Sequence, residues 1–225
     1  MFSISLSSIL TSVIILLIVS TVLRILLGCW QRNVWKIPIY KYFLYVPLMT
    51  VAGTLGARLF AYIAYPDVGG TRLYGTVIAI SVCVPILAIL LLIPFRDAFG
   101  FTSVATYLAI AIMKISCLIE GCCYGRSFTV AGHTLVFPSQ ILEILVATLL
   151  FVVFLRLSRS AYPRERLYPL FLITYGVYRY AFDWLRGSSA ETAPFVLWIP
   201  AGRFFSLIIL AAGILSMLLV RKCKK

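Results

Sequence analysis

The sequence predicts an all-α integral membrane protein, a polytopic bundle of about seven transmembrane helices. Of its 225 residues, 62% are hydrophobic and 12% are charged, and the mean hydropathy is +1.04. Soluble domains carry about 25% charged residues, so this composition excludes a water-exposed fold. A hydrocarbon core of roughly 30 Å requires about 20 apolar residues per helix. The windows that meet this requirement are residues 6–28, 42–64, 75–94, 99–120, 139–157, 167–186 and 202–220.

The first window is interpreted as a retained helix and not as a signal peptide. No basic segment precedes residues 6–28 and no small-residue cleavage site follows them, whereas secretory signals carry both features. The later windows follow one another without a linker, a low-complexity tract or an internal repeat. Residues 1–225 are therefore predicted to form one membrane domain.

The distribution of positive charge predicts the orientation of the bundle. The net charge is +13, but its placement in alternate loops is typical of membrane topology and not of nucleic-acid binding. The loops after the first, third, fifth and seventh windows carry Arg32, Lys36, Lys41, Arg96, Arg156, Arg159, Arg164, Arg166, Arg221, Lys222, Lys224 and Lys225. The opposite loops carry Arg72, Arg126, Arg186 and Arg203. The positive-inside rule then places the N-terminus outside and the C-terminus in the cytoplasm.

Ionisable residues inside the windows mark a candidate functional site, since a charge near the bilayer centre is costly unless it has a partner or a function. These residues are Arg58, Lys114, Glu120, Glu143, Arg179 and Asp183. The sixth window carries Tyr175, Arg179, Asp183 and Arg186. Their spacings of four, four and three residues place them on one helix face, which is predicted to point inward. This stripe is either a structural Arg179–Asp183 ion pair or part of a ligand site.

The end of the fourth window is predicted to approach a ligand. Lys114, Cys117 and Gly121 share one face of this window. A turn over residues 120–126 follows, and its two glycines, Gly121 and Gly125, allow the backbone to come close to a bound molecule.

The start of the fifth window adds neutral and acidic groups to the candidate site. Ser139 follows a proline and is predicted to cap the helix. Gln140 and Glu143 are three residues apart and share an inward face. Because Arg binds phosphate in a bidentate manner and Lys binds it as a point charge, the combined set suits a phospholipid headgroup.

Cysteine and histidine positions do not predict a metal site. The cysteines are Cys29, Cys83, Cys117, Cys122, Cys123 and Cys223. No pair has metal-ligand spacing with supporting histidines, and packing is the usual role of such side chains. His133 is the only histidine; it is interpreted as a solvated loop residue, so no Ser-His-Asp set can be assembled.

Five sequence blocks are specific enough to indicate a family. They are Gly56-Ala57-Arg58-Leu59-Phe60, Leu73-Tyr74-Gly75, the turn over residues 120–126, Phe137-Pro138-Ser139-Gln140-Ile141-Leu142-Glu143, and Tyr175-Gly176-Val177-Tyr178-Arg179 with Asp183-Trp184-Leu185-Arg186. The chain resembles the prolipoprotein diacylglyceryl transferases, bacterial enzymes that lipidate the lipobox cysteine of secreted precursors. The resemblance implies a phosphatidylglycerol donor, a lipobox-containing precursor as acceptor, a thioether product, release of glycerol phosphate, no metal or organic cofactor, and a multi-pass location in the bacterial plasma (inner) membrane.

The resemblance also implies roles for individual residues. Arg179 is expected to bind the lipid phosphate, and Lys114, where the family usually has an arginine, is expected to be the second cation. Tyr74 and Tyr175 are expected to shape the donor site, which completes the predicted catalytic set. The predicted substrate-binding residues are Arg58, Cys117, Glu120, Gly121, Gly125, Arg126, Ser139, Gln140, Glu143 and Asp183.

The chain departs from the family pattern at several of these positions. Cys117 and Glu120 replace asparagines, Cys122 replaces a glutamate, and Tyr74 and Phe137 replace histidines. An unperturbed phenol, with a pKa near 10, is a poor base at neutral pH. Three functions therefore stay open: the family's transferase activity, a paralogous activity on another lipid or thiol acceptor that uses the cysteines, and a membrane transporter or lipid-binding scaffold.

Overall fold

Seven long helices account for the seven predicted windows. The computed structural model describes residues 6–64, 73–121, 125–130, 133–185, 194–196 and 199–222. In this part of the chain the long helices are α1 (Leu6–Trp30), α3 (Ile39–Ala64), α4 (Leu73–Leu90), α5 (Phe95–Ile119), α6 (Ser139–Arg159), α7 (Leu167–Leu185) and α8 (Ala201–Lys222). A short helix, α2 (Arg32–Trp35), and a 3₁₀ turn (Arg164–Arg166) lie between them. The prediction of a polytopic helical bundle is confirmed.

Two short β-hairpins, absent from the sequence prediction, lie in the connections between helices. Strand β1 (Ser127–Val130) pairs with β2 (His133–Val136) in an antiparallel register that places Ser127 opposite Val136. Strand β3 (Pro194–Val196) pairs with β4 (Ile199–Pro200) just before α8. Both hairpins therefore lie at the end of the bundle where α4, α6 and α8 begin and where α5 and α7 end, which we call the site end.

Helix α7 differs from the other long helices in composition and burial. Among the described residues, six helices are long and apolar enough to cross a membrane, and α7 is not among them. Eleven of its nineteen residues are buried, including Arg179 and Asp183. A helix with ionised side chains is stable in a bilayer when its neighbours shield them from lipid. Helix α5, with fifteen buried residues, is the other interior helix, and large apolar side chains cover the outer faces of the remaining helices.

Polar contacts close the opposite end of the bundle. The indole Nε1 of Trp35, a fully buried residue, donates to Gln31 Oε1 at 2.9 Å, and Gln31 Nε2 donates to Ser158 Oγ at 3.1 Å. The Arg164 Nη1 atom donates to Oδ1 of the buried Asp97 at 3.1 Å. These contacts join the α1–α2 junction to α6 and the 3₁₀ turn to α5, so neighbouring elements are fixed relative to one another away from the site end.

Helices α3 and α4 approach each other closely at two glycines. A Cβ atom built on Gly56 would lie 2.7 Å from the carbonyl oxygen of Gly75, and one built on Gly75 would lie 2.9 Å from the carbonyl carbon of Gly56. Real Cβ atoms do not come this close to backbone, so only glycine fits at either position. Small residues of this kind let membrane helices pack backbone to backbone, and this contact positions Tyr74 at the start of α4.

The substitution Gly75→Ala is expected to lower the thermal unfolding temperature of the purified protein. Its methyl group would force α3 and α4 apart, at a cost of about 1–3 kcal/mol. Gly53→Ala is the matched control, because a Cβ atom at Gly53 would meet only side-chain atoms, the nearest being Thr76 Cγ2 at 3.1 Å. Equal unfolding temperatures for the two variants in the same detergent would contradict this interpretation of the contact.

Candidate active site

A buried ionic cluster lies at the site end of the bundle. Lys114 on α5, Glu143 on α6 and Arg179 on α7 are 3%, 0% and 2% exposed. The Lys114 ammonium group forms an ion pair with Oε2 of Glu143, and Arg179 Nη1 lies 3.8 Å from the same oxygen. The Tyr178 hydroxyl donates to this oxygen at 3.1 Å. One carboxylate thus joins two cations that the sequence analysis had placed in separate windows.

The cluster carries more positive than negative charge. Lys114 and Arg179 together contribute two positive charges and Glu143 one negative charge, which leaves a sum of +1 for the three side chains. Coulomb interactions are strong in a low-dielectric interior. The two cations would therefore attract an anion that binds next to them.

Tyr74 fixes the orientation of the Arg179 side chain. Arg179 Nε donates to the Tyr74 hydroxyl oxygen at 3.1 Å, and the guanidinium carbon lies 5.1 Å from the centroid of the tyrosine ring. The Tyr74 hydroxyl in turn donates to the Gly202 carbonyl oxygen at 2.8 Å and lies 3.3 Å from Ser206 Oγ. Helices α4, α7 and α8 are therefore joined through one phenol group, which holds the guanidinium in a single position.

Asp183 forms its ion pair with α8. Arg203 Nε lies 3.2 Å from Asp183 Oδ2, and the Arg203 guanidinium carbon lies 3.6 Å above the ring of Trp184. Arg179 forms an ion pair with Glu143. Each of the two residues thus meets an opposite charge from another helix, and the structural Arg179–Asp183 pair stays a prediction. Arg186, the last residue of the predicted stripe, lies outside the described residues.

The other predicted residues of α6 and α7 line the interior next to the cluster. Tyr175 is fully buried, with its ring centroid 5.9 Å from that of Phe171 and a stacked geometry. Ser139 and Gln140 are also buried, 0% and 1% exposed, so the inward face predicted for the start of α6 is confirmed. Pro138 and not the predicted Ser139 occupies the N-cap position of α6, and Ser139 is the first residue of the helix.

The predicted turn after α5 connects the end of α5 to the start of α6. Cys117 and Glu120 are partly exposed near the end of α5. Gly121 has a φ of 64°, a conformation that glycine adopts without strain. Gly125 N donates to the Phe137 carbonyl oxygen at 3.0 Å, which brings the turn back to the start of α6.

Two members of the predicted set, Arg126 and Arg58, are exposed. The Arg126 side chain is exposed, while its backbone N–H donates to the Leu185 carbonyl oxygen at 3.0 Å and so joins the turn to the end of α7. Arg58 is exposed on α3 and lines a separate cavity. Cys122 and Cys123, on which the alternative thiol chemistry depends, lie outside the described residues.

Sequence analysis missed three polar groups that the structure places in the interior of the bundle. Tyr178 contacts Glu143 of the cluster, and Ser206 contacts Tyr74. Both are polar residues within predicted windows, and this position was the signal that could have identified them. Arg24 is 6% exposed inside α1 and lines the same cavity as Arg58. Arg24 is an ionisable residue inside the first predicted window. The rule used for the other windows, that a charge near the bilayer centre needs a partner or a function, should have identified Arg24 as well.

The fold and the cluster define a multi-pass membrane protein with a buried ionic site between its helices. The family described as prolipoprotein diacylglyceryl transferase matches residues 8–219, which is nearly the whole chain, and the protein belongs to this family. Its members are transferases that act on lipid and prolipoprotein substrates in a membrane, so the protein is a membrane-embedded enzyme. A search of curated protein sequences gave no match.

Proposed function

We propose that the enzyme transfers the diacylglyceryl group of phosphatidylglycerol to the lipobox cysteine of a prolipoprotein at the bacterial plasma membrane. The main support for the proposal is that two buried cations, Lys114 and Arg179, both lie next to the Glu143 carboxylate. A phosphate group next to this cluster would interact favourably with its two cations. Family membership favours this transferase reaction over the transporter or scaffold alternative.

The reaction needs stabilisation of a departing phosphate. The cysteine sulfur, after loss of its proton, attacks the glycerol carbon that bears the headgroup. A carbon–sulfur bond forms, the carbon–oxygen bond breaks, and its electron pair leaves with the phosphate oxygen as glycerol phosphate. Charge therefore develops on phosphate oxygens in the transition state, where preorganised cations lower the barrier most.

The buried residues suit separate parts of this task. Arg179 presents a planar guanidinium for bidentate binding of phosphate, and Lys114 supplies a point charge. Glu143 holds both cations in place, and Tyr74 fixes Arg179 through the 3.1 Å hydrogen bond. Since the Tyr74 hydroxyl also donates to the Gly202 carbonyl oxygen, we assign it a positioning role and not that of the base. Tyr175 shapes the space beside Arg179.

The proposal is tested by reconstitution with defined substrates. The purified enzyme in phosphatidylcholine vesicles that contain phosphatidylglycerol is incubated with a lipobox peptide, and the products are analysed by mass spectrometry. We expect a thioether-linked diacylglyceryl peptide and an equal amount of glycerol phosphate. Vesicles of phosphatidylcholine alone and a Cys→Ser peptide are the matched controls, and neither should give product.

Two outcomes would contradict the proposal. The first is absence of product when the enzyme shows a cooperative thermal transition and is therefore folded. The second is equal product from phosphatidylcholine alone, which would assign another donor. Loss of product after alkylation of Cys117 with a small reagent would favour the alternative thiol chemistry, since Cys117 has no part in the proposed reaction.

A further inference from the structure

The hydroxyl group of Tyr178 lies in the interior beside the ionic cluster. Tyr178 is 5% exposed, and its hydroxyl donates to Glu143 Oε2 at 3.1 Å. The phenol ring packs against two other rings of α7, with centroid distances of 6.2 Å to Tyr175 and 4.9 Å to Phe182. A hydroxyl that donates one hydrogen bond still has oxygen lone pairs with which it accepts another. Tyr178 can therefore accept a hydrogen from a bound molecule while it donates its own to Glu143.

The acceptor thiol needs a group that takes its proton. The thiolate is the nucleophile, and an unperturbed thiol has a pKa of about 8.5, so only about 1% of it is ionised two pH units lower. Tyr74 does not suit this task, because its hydroxyl donates to the Gly202 carbonyl oxygen at 2.8 Å. A carboxylate accepts a proton near neutral pH, whereas a backbone carbonyl oxygen does not. Tyr178 differs from Tyr74 in donating to a carboxylate.

The position of Tyr178 suits contact with the attacking sulfur. In the proposed reaction the lipid phosphate lies beside Lys114 and Arg179, and the sulfur must come to about 3–3.5 Å from the carbon that bears this phosphate. The sulfur and the phosphate therefore occupy one small region. The Tyr178 hydroxyl oxygen and Arg179 Nη1 lie 3.1 Å and 3.8 Å from the same oxygen of Glu143. The phenol thus lies next to the cations that would hold the phosphate.

The charge of the bound lipid favours proton transfer to Glu143. The described titratable groups around Tyr178 are Lys114 from α5, Glu143 from α6, and Tyr175 and Arg179 from α7. The two cations favour the ionised form of Glu143 when no ligand is bound. A lipid phosphate that binds to them adds a negative charge nearby, and a nearby like charge favours protonation of a carboxylate. Glu143 is therefore a better proton acceptor when the donor lipid is in place.

We propose that Tyr178 passes the proton of the acceptor thiol to Glu143 as the sulfur attacks, an inference that rests on the proposed transfer reaction. The thiol proton moves to the Tyr178 oxygen while the phenol proton moves to Glu143 Oε2, so the phenol is neutral before and after the step. The carbon–sulfur bond forms, the carbon–oxygen bond breaks, and its electron pair leaves with the phosphate oxygen. The departing glycerol phosphate then takes the proton from the Glu143 carboxyl group, which restores the carboxylate for the next cycle.

The proposal is tested by the pH dependence of the Tyr178→Phe variant, which keeps the ring and removes the hydroxyl group. The rate of lipidation of a lipobox peptide is measured in vesicles that contain phosphatidylglycerol, from about pH 6.5 to about pH 9.5. Near the lower pH we expect the variant to be roughly 100-fold slower than the unmodified enzyme, the lower end of the usual contribution of acid–base catalysis. At the upper pH, above the thiol pKa of about 8.5, the thiolate forms without a base, and the two rates should agree within about threefold.

A peptide with selenocysteine in place of the lipobox cysteine separates proton transfer from packing. Its selenol is ionised at neutral pH, so its attack on the lipid needs no base. We expect Tyr178→Phe to modify this peptide at a rate within about threefold of that of the unmodified enzyme, whereas a purely structural role of Tyr178 would slow both peptides equally. Tyr180→Phe, at a half-buried position of α7, is the matched control and should behave as the unmodified enzyme does with both peptides.

Three results would overturn the proton relay. The first is a loss of rate in Tyr178→Phe that is the same at both ends of the pH range and for both peptides, and the second is no loss of rate at all. The third is a pH-dependent, thiol-selective loss in His133→Gln in place of Tyr178→Phe, since His133, the only histidine of the chain, lies in β2 at the site end. In each case, product from the unmodified enzyme would leave the proposed transfer reaction standing. No product from either peptide with folded, unmodified enzyme would contradict that reaction itself, and the relay with it.

Discussion

Replacing Arg179 with glutamine is expected to lower the rate of diacylglyceryl transfer by roughly 100- to 1,000-fold, the usual effect of removing one donor to transition-state charge. The side chain is 2% exposed and its Nε atom is held by Tyr74 at 3.1 Å, so the guanidinium cannot be replaced by another flexible cation. Glutamine is shorter, carries no charge and offers two N–H donors in place of the five of the guanidinium. The rate is measured as lipidated peptide formed from phosphatidylglycerol in vesicles.

Two further variants separate catalysis from folding in this experiment. Arg179→Lys keeps the charge but loses bidentate geometry, and we expect it to give an intermediate rate. Arg159→Gln removes an arginine from the opposite end of the bundle, where it stacks on Trp30 at 3.7 Å, and its rate should match that of the unmodified enzyme. A rate for Arg179→Gln within threefold of that of Arg159→Gln would rule out Arg179 as the main phosphate ligand.

Replacing Glu143 with glutamine is expected to destabilise the folded protein by about 3–5 kcal/mol, the usual effect of removing one partner from a buried ion pair. Lys114 and Arg179 would then lie close together in the interior as like charges. The cost should appear as a lower thermal unfolding temperature in detergent and as a lower yield of folded protein. Addition of phosphatidylglycerol should recover part of the stability, because the lipid phosphate would supply the missing negative charge.

A second substitution provides the control for this effect. Lys114→Met removes one of the two cations, and the double variant with Glu143→Gln leaves only Arg179 charged in the cluster. If the destabilisation of Glu143→Gln arises from cation repulsion, the double variant should be more stable than Glu143→Gln alone, with a coupling energy of about 0.5–3 kcal/mol. Additive effects of the two substitutions would show that the Lys114–Glu143 contact contributes nothing to stability.

The number and order of the helices could be predicted because the bilayer constrains them so strongly. Each window had to supply enough apolar residues to cross the hydrocarbon core with every backbone group paired inside a helix. The residues at which the helices begin and end were harder to predict. Helix α4 ends at Leu90, before the predicted end at residue 94, since Leu92 takes a left-handed conformation with a φ of 49° and Pro94 follows. The predicted outside-to-inside orientation stays a prediction.

The buried face of α7 could be predicted, but its partners could not. Helical spacing identifies residues that share a face, and both Arg179 and Asp183 are buried as expected. Contacts between helices depend on how the helices pack, which spacing within one window does not specify. Arg203 was therefore counted as a loop charge, although it lies in the first turn of α8 and forms an ion pair with Asp183. The hydrogen bond from the Tyr74 hydroxyl to the Gly202 carbonyl oxygen could not be predicted for the same reason.

The low hydropathy of α7 has a consequence for biogenesis. A segment that carries Arg179 and Asp183 gains little free energy by entering a bilayer on its own. Helix α8 is apolar enough to span, packs extensively along α7 and neutralises Asp183 through Arg203. During synthesis we therefore expect α7 to leave the insertion machinery for lipid only when α8 has emerged, so that the two enter together as a helical hairpin.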